Sequence, residues 1–268
     1  MPHGLNRWRA LLAGALLALG PALYAGCDDA RLAADIDTRL GVTRVYDGDT
    51  VRLADGRKLR LIGINTPELG HGRGPDEPLA AAARDRLQAL LRAAGHRLDL
   101  EYGEDTYDHY GRLLAHAFLP DGRSLQVLLL REGLAAAVTV PPNTGHADCY
   151  FANEAAARTA RRGIWKVRAL GPVEAATLPL ATRGFRILRG RVSAIRKQRR
   201  GTRLTLDGRV DLLVHHDERQ NFPGIRLNAL EGRRVEVRGW LSGRSGRRPL
   251  MRLRHGNNLK LLDAPAGE

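Results

Sequence analysis

The sequence predicts a β-rich α+β protein in which a small β-barrel with helices packed outside it precedes a second β-rich domain. Thirty glycines and thirteen prolines among 268 residues indicate many turns and therefore short strands. The segment 42–64 alternates apolar and polar residues around two Asp-Gly turns, which is the pattern of consecutive β-hairpins. A hydrophobic content of 43% is enough to build buried cores and excludes a disordered chain.

The first 26 residues are predicted to be an export signal. Arg7 and Arg9 precede an uncharged run from 10 to 25 that ends in small residues, which is the order of regions in a signal peptide. This run is short for a membrane span and is interrupted by glycine and proline, so we expect no stable membrane span. The small residues before Cys27 also resemble a bacterial lipoprotein box, which leaves lipidation as a second alternative. We expect an exported protein, periplasmic or secreted.

Cys27 and Cys149 are the two cysteines of the sequence. In an oxidising compartment they can form a disulfide between the mature N-terminus and a later segment. Because a disulfide requires Cα atoms that lie close together, two free cysteines remain an alternative. A lipidated Cys27 beside a buried Cys149 is another alternative. We favour the disulfide.

Capping and turn signals predict the later elements of the first domain, residues 27–169. A helix is expected to begin at Pro78, with Asp76 or Glu77 as its cap, and to end at Gly95. The other predicted elements are strands over 97–102 and 113–118, a helix capped by Ser124 that ends at Gly133, and a helix over 150–162.

The chain is predicted to divide after residue 169. Residues 170–183 have little periodicity and are interpreted as a linker, and 184–268 carry short apolar runs typical of a sandwich or a second barrel. The net charge of the whole chain is +14, and residues 170–268 hold 21 Lys or Arg against 9 Asp or Glu. We expect this basic domain to help hold a polyanion, either the substrate or a cell-surface polymer. Trp165 and Trp240 are expected to be core residues.

Polar residues that suit a metal and a phosphate group follow the predicted hairpins. Asp49 flanks the first turn, and Asn65, Thr66 and Glu68 come directly after a strand that begins at Arg60. Carboxylate, amide and carbonyl oxygens are the ligands that Ca²⁺ prefers. The glutamate adds a candidate general base and the arginine a candidate phosphate clamp. For any one of these residues alone, a solvated charge on a hairpin is the better interpretation.

Three ordered motifs make the interpretation more specific. The sequences VYDGDTVRL, RLIGINTPE and DHYGRLLAH resemble the thermonuclease family, the staphylococcal-nuclease-like domains, and the likeness runs from about 42 to 166. The resemblance implies an OB-type five-stranded barrel with three helices. It also implies hydrolysis of DNA and RNA to products with a 3′-phosphate and a 5′-hydroxyl.

The resemblance also implies roles for individual residues. Asp49 matches a carboxylate that binds Ca²⁺, and Thr66 matches the residue whose backbone carbonyl binds the same ion. Glu68 matches the residue proposed to activate the attacking water. Arg60 and Arg112 match two arginines that contact the phosphate and stabilise the transition state.

Two further residues match the family and two features depart from it. Tyr110 matches an aromatic residue that lines the nucleotide site, and Asp47 matches a nearby supporting acid. Asn65 stands where many members carry a second metal-binding aspartate, so we expect weaker metal binding. The segment 137–143 contains no tyrosine, although the family's well-known member has tyrosines there, which puts base stacking and substrate preference in doubt.

The sequence therefore predicts an exported, Ca²⁺-dependent nuclease that acts on DNA, RNA or both, with a monomer assumed. The alternative is a nucleic-acid-binding protein whose nuclease-like barrel is weakly active or inactive. The presence of Arg60, Glu68 and Arg112 together favours the enzyme.

Overall fold

The structure is a computed structural model that describes residues 35–263 except 71, 73, 244 and 245. The predicted signal peptide and Cys27 lie outside the described residues, so export and the disulfide stay predictions. Cys149 is buried. Within the described residues, no helix has the length and the apolar character that crossing a membrane requires.

The first domain contains a closed barrel of short strands. Its alternating apolar residues point inward, and Leu59, Leu98 and Leu113 are fully buried there. The strands are β1 (Thr38–Val45), β2 (Thr50–Leu53), β3 (Lys58–Leu61), β4 (Ile64–Asn65), β5 (Arg97–Tyr107), β6 (Leu113–Phe118) and β7 (Ala136–Ala137). The barrel order is β1-β2-β3-β6-β5, with β3 and β6 parallel and the other neighbours antiparallel. The predicted barrel is confirmed.

Helices α1 (Ala80–Ala93), α2 (Leu125–Arg131) and α3 (Ala147–Thr159) accompany this barrel. Ser124 caps α2 as predicted, because its hydroxyl accepts a hydrogen bond from the backbone N–H of Val127 at 3.3 Å. The last helix begins and ends three residues earlier than predicted.

The predicted cap of α1 is wrong. The helix begins after Leu79, whose backbone has the left-handed conformation and whose side chain makes no capping hydrogen bond. The carboxylates of Asp76 and Glu77 turn back instead and accept hydrogen bonds from the backbone N–H groups of Gly70 and Glu68, at 2.8 and 3.0 Å. These acids therefore shape the loop that carries Glu68.

The second domain is a barrel and not a sandwich. Its strands are β8 (Val173–Glu174), β9 (Gly184–Gln198), β10 (Gly201–Leu206), β11 (Val210–His215), β12 (Arg234–Ser242), β13 (Leu250–Arg252) and β14 (Leu259–Leu261). The ring β9-β10-β11-β13-β12 closes because β12 pairs with both β13 and β9. Its third strand pairs in parallel with its fifth, as in the first barrel. Both barrels thus share one strand order, although no sequence repeat relates them.

The segment predicted as a linker belongs to the second barrel. Within 170–183, strand β8 pairs in parallel with β9, and Ala175 and Leu178 are buried in the second core. The weak periodicity of the segment reflects these very short elements, which need only two or three residues each.

Buried polar contacts join the two barrels. Arg238 on β12 donates hydrogen bonds to the carbonyl of Ala137 at 2.8 Å and to the carboxylate of Glu154 on α3 at 2.6 Å. The side chain of Asn258 accepts from the N–H of Thr139 at 3.1 Å and donates to its carbonyl at 2.7 Å. Ala137 belongs to β7, and β7 pairs with β4. The contact from Arg238 therefore connects the second barrel to the strand that ends in Asn65.

Glu236 lies at the centre of the same junction. Its carboxylate accepts hydrogen bonds from Arg158 of the first barrel at 2.7 Å and from Arg189 of the second at 2.9 Å. Burial alone would raise the pKa of Glu236, but these contacts and the charge of Arg238 hold that pKa at about 2. The junction is therefore a network of charged side chains in which the carboxylate of Glu236 is buried and Arg158 and Arg189 remain partly exposed.

Candidate active site

Asp49 organises the turn between β1 and β2. Its carboxylate is buried and accepts hydrogen bonds from the backbone N–H and the hydroxyl of Thr66, both at 2.9 Å. It also accepts from the Thr50 hydroxyl at 3.1 Å and contacts the guanidinium of Arg60. One carboxylate thus ties the first hairpin to the strand end that follows β4.

Gly48 permits this close approach. A Cβ atom at Gly48 would lie 2.7 Å from the Cβ of Ala83 and 2.8 Å from the Cγ2 of Thr66, separations that packed carbon atoms do not tolerate. The glycine of the Asp-Gly turn therefore serves the packing of the turn against α1 and Thr66.

Arg60 contacts both the carboxylate of Asp49 and the residues of β4. Its Nη2 atom donates to the carbonyl of Ile64 and to the amide oxygen of Asn65, each at 3.1 Å. Burial, reinforced by the nearby charge of Arg112, lowers the pKa of Arg60 to about 10, and the charges of Asp47 and Glu68 oppose the shift. The side chain remains a cation at neutral pH.

The charges of Asp47, Arg60 and Arg112 also act on the carboxyl group of Glu68. Its side chain is solvent-exposed, yet partial desolvation against the protein raises its pKa, and the neighbouring Asp47 carboxylate raises it further. Arg60 and Arg112 act in the opposite direction, which places both guanidinium groups within electrostatic reach. The Glu68 backbone is held by Glu77, which in turn pairs with Arg186 of the second barrel at 2.9 Å.

Arg112 is fixed by a neighbour on its own turn. Asp108 accepts from the Arg112 backbone N–H at 2.9 Å and from its Nε at 2.7 Å. Although burial opposes it, these hydrogen bonds hold the pKa of Asp108 below its usual range. The Arg112 guanidinium lies 5.5 Å from the centre of the Tyr110 ring, and that ring is 74% exposed. The motif DHYGR therefore presents an oriented arginine beside an open aromatic face.

A cleft of about 570 Å³ brings most of the predicted residues together. It is lined by Arg60, Asn65, Glu68, Tyr110 and Arg112. The buried Asp49 and Thr66 stand behind this lining, joined to it through the hydrogen bonds of Arg60 and Asn65.

Sequence reasoning missed residues that the second barrel contributes to this cleft. Trp240 and Arg254 line it together with the arginines of the first barrel. The expectation that Trp240 is a core residue is wrong, because its side chain is 43% exposed at the cleft. Trp165 is half-buried and stacks under Arg158, 4.8 Å from the ring centre. No local pattern marks Trp240, since its exposure depends on where the first barrel docks.

The donor chemistry around Asp49 fits a hard cation. Three oxygen atoms that can bind a metal lie together: those of the Asp49 carboxylate, the Asn65 amide and the Thr66 carbonyl. Arg60 contacts the first two groups, and the amide nitrogen of Asn65 bonds to the third. In the structure the amide nitrogen of Asn65 donates to the Thr66 carbonyl at 3.1 Å. Turning the amide would break the hydrogen bond from Arg60 to its oxygen. The amide oxygen would then lie beside the Thr66 carbonyl, and oxygen is the ligand atom that Ca²⁺ prefers.

A second group of ligand-type side chains lies away from this set. Glu101, His116 and His146 place one ligand atom each within 4.8 Å of one another. His146 bonds Glu101 at 2.8 Å, and the hydroxyl of Tyr150 bonds His116 at 2.7 Å. Burial and the neighbouring His146 lower the pKa of His116 to about 3. Two imidazole nitrogens are poor Ca²⁺ ligands, so this group is separate from the predicted calcium site.

Comparison with known proteins agrees with this geometry. A family model described as staphylococcal nuclease homologue matches residues 58–167. The thermonuclease of Staphylococcus intermedius is 36% identical over 128 residues, which cover 47% of this chain and 74% of that protein. An uncharacterized endonuclease of Escherichia coli O157:H7 is 35% identical over 137 residues, covering 50% and 80%.

Another relative is matched over a smaller share of its length. Endonuclease YncB of Bacillus subtilis (strain 168) is 35% identical over 126 residues, which are 46% of this chain and 59% of that protein. These matches each span about half of this chain. Together with the closed five-stranded barrel and its cleft, they show that the chain belongs to the staphylococcal nuclease family.

Proposed function

We propose that the chain is a Ca²⁺-dependent nuclease that hydrolyses phosphodiester bonds of DNA, RNA or both. The observation that carries the proposal is the convergence of Arg60, Arg112 and Glu68 on one cleft beside the oxygen donors around Asp49. Hydrolysis of a phosphodiester needs a base for the attacking water and positive charge for the phosphate oxygens, and this cleft offers both.

Glu68 acts as the general base. Its carboxylate takes the proton of the attacking water, and its side chain is open to solvent as that role requires. A general base works best when its pKa approaches the working pH, and the pKa of Glu68 is shifted upward by desolvation and by Asp47. The hydrogen bond from its backbone to Glu77 keeps the residue at the edge of the cleft.

Arg60 and Arg112 bind the non-bridging phosphate oxygens. A planar guanidinium donates two parallel hydrogen bonds, which a lysine ammonium does not reproduce. Asp108 orients Arg112 before substrate arrives, and Asp49 does the same for Arg60. Removing a preorganised donor of this kind costs about 3 kcal/mol in the barrier, or roughly a hundredfold in rate.

Asp49, Asn65 and Thr66 hold the cation in this proposal, with Asp47 as a supporting acid. When bound, Ca²⁺ supplies positive charge that offsets the charge developing on the phosphate. Tyr110 offers its exposed ring to the nucleotide beside Arg112. Because Asn65 contributes no negative charge, we expect the affinity for Ca²⁺ to be modest.

The charge of the chain supports a division of labour between the barrels. Residues 170–268 carry 21 basic against 9 acidic residues, whereas 27–169 carry 20 against 20. We propose that the second barrel holds the polyanionic substrate electrostatically while the first barrel cuts it. On the basis of the predicted signal peptide, we propose that this activity lies outside the cytoplasm, in the periplasm or the medium.

The test incubates the protein with DNA and with RNA, in Ca²⁺ or in chelator, beside Glu68→Gln. We expect cleavage only with Ca²⁺ and a loss of at least about a hundredfold in the variant, since general-base catalysis typically contributes that much. Glu132→Gln is the matched control, because Glu132 pairs with Arg86 and does not line the cleft.

The outcomes separate the two function classes. Tight binding of nucleic acid without metal-dependent cleavage would refute the nuclease and support a binding protein with an inactive barrel. Equal cleavage by Glu68→Gln and the unsubstituted protein would assign the activity to another site or to a contaminant.

A further inference from the structure

Exposed large apolar side chains are concentrated at the cleft. Among the described residues, Tyr107, Tyr110, Trp240 and Leu261 are the exposed large hydrophobic residues, and the first three line the cleft. Exposed aromatic rings cost hydration free energy unless a ligand or partner covers them. Their convergence from two separate barrels marks a surface for a flat, partly apolar ligand.

Trp240 is held as a rigid platform. Its ring contacts Phe185 edge to face, with centroids 5.2 Å apart, and the two residues are paired neighbours on β12 and β9. Two residues earlier on β12, Arg238 is bonded to the carbonyl of Ala137 and to Glu154 of the first barrel. The junction therefore fixes the tryptophan relative to the catalytic residues.

One wall of the cleft, supplied by the first barrel, has no aromatic side chain. This wall, between Val138 and Asn143, is formed by valine, proline and asparagine side chains. A base lying in the cleft finds apolar contact on that wall but no stacking partner. Trp240 stands on the part of the same cleft that the second barrel supplies.

Arg254 adds a positive charge beside this platform. Its Nε donates to Glu218 at 3.0 Å, and its side chain remains 41% exposed. Arg252 pairs with the same carboxylate and is 46% exposed, but it does not line the cleft. Glu218 is buried and orients both guanidinium groups. Of these two arginines, Arg254 is the one that is placed to meet a phosphate of a strand in the cleft.

We propose that the second barrel supplies a nucleotide subsite of the cleft, in which Trp240 stacks on an unpaired nucleobase and Arg254 contacts a neighbouring phosphate. A base presents its face to a tryptophan only when it is unpaired, so the subsite selects single-stranded or locally opened nucleic acid. The inference rests on the proposed nuclease function, because that function makes nucleic acid the ligand of the cleft. Its binding chemistry is independent of cleavage.

The test measures equilibrium binding by the full chain in chelator, where no cleavage is expected. The probe is a fluorescein-labelled oligothymidylate followed by fluorescence anisotropy, with a mixed-sequence duplex of equal length for comparison. We expect Trp240→Ala to weaken single-strand binding about tenfold and Trp240→Phe to restore most of the loss, as stacking on one base predicts. Duplex binding should change by less than about twofold.

Matched variants separate the subsite from general effects. Leu261→Ala removes an exposed apolar side chain of the same barrel outside the cleft and should leave binding unchanged. Arg254→Ala should weaken binding and reduce the slope of log K against log salt by about 0.7, the value for one phosphate of a single strand. Arg252→Ala breaks the same kind of pair with Glu218 and should reduce the slope by much less.

The results distinguish this inference from the proposed function. Single-strand binding by Trp240→Ala within twofold of the unsubstituted protein, or equal slopes for the two arginine variants, would overturn the subsite. Suppose that Trp240→Ala loses single-strand binding and that neither the unsubstituted protein nor any variant cleaves nucleic acid in Ca²⁺. That result would support the subsite and refute the nuclease. Equal losses on single strands and duplex would also overturn it, because stacking requires an unpaired base.

Discussion

Arg238 is a buried cation that joins the two barrels. Its side chain is 6% exposed, and it is the donor to the carbonyl of Ala137 and to the Glu154 carboxylate. The substitution Arg238→Met keeps an unbranched chain of similar length and removes the charge and both hydrogen bonds. Because β7 pairs with the strand that ends in Asn65, the substitution also loosens the candidate site.

The size of the effect follows from what remains buried. After the substitution, Glu154 keeps a hydrogen bond from the backbone N–H of Ala137 at 2.6 Å and the more distant Arg158 at 3.5 Å. Its side chain is 2% exposed, and the residue borders a cavity of about 500 Å³ at the junction. Breaking one side of a buried ion pair costs 3–5 kcal/mol in the free energy of unfolding, and the remaining arginine favours the lower end, about 3 kcal/mol.

Urea unfolding followed by circular dichroism measures this loss. The matched control is Arg234→Met, on the same strand, because Arg234 pairs with Glu174 at the surface and both side chains are more than 40% exposed. A surface pair contributes about 0–1 kcal/mol. If Arg238→Met destabilised the protein no more than Arg234→Met, the buried junction would not carry the docking energy and the argument would be refuted.

Three further predictions concern charge in the site and the junction. The substitution Asp47→Asn removes a negative charge that raises the pKa of Glu68, so the acid limb of kcat/KM should move to lower pH; a pH–rate profile that stays in place contradicts this role. The substitution Asn65→Asp should tighten Ca²⁺ binding about tenfold, because it adds a carboxylate ligand, and titration calorimetry on the full chain measures the change; unchanged affinity would remove Asn65 from the ligand set. The pKa of Glu236 is depressed to about 2 from an ordinary value of 4.5, so its contribution is present above pH 4.5 and is lost as pH falls toward 2. The loss should reach about 3 kcal/mol in urea unfolding, and Glu236→Gln should flatten that pH dependence.

The first barrel was predictable because its signals are local. Asp-Gly turns, alternating strands and the cap at Ser124 each act within a few residues, and they specify the same elements in the structure. The motif residues Arg60, Glu68 and Arg112 could be proposed as one site because their motifs resemble those of the thermonuclease family. The barrel then brings β3, the segment after β4 and the turn before β6 to one cleft. The predicted cap of α1 failed because the Glu77 carboxylate accepts a hydrogen bond from the N–H of Glu68, nine residues earlier, and makes none to the start of the helix.

The sequence by itself determined the family barrel, the catalytic candidates and the uneven charge of the two halves. Only the tertiary structure decided that the second domain is a barrel of the same strand order and that it lines the cleft with Trp240 and Arg254. The physical reason is the distance along the sequence over which the interactions act. Turns and caps depend on neighbours in sequence, whereas the contact of Arg238 with Ala137 joins residues 101 positions apart. Such a contact leaves no local pattern, because it exists only when two finished surfaces meet.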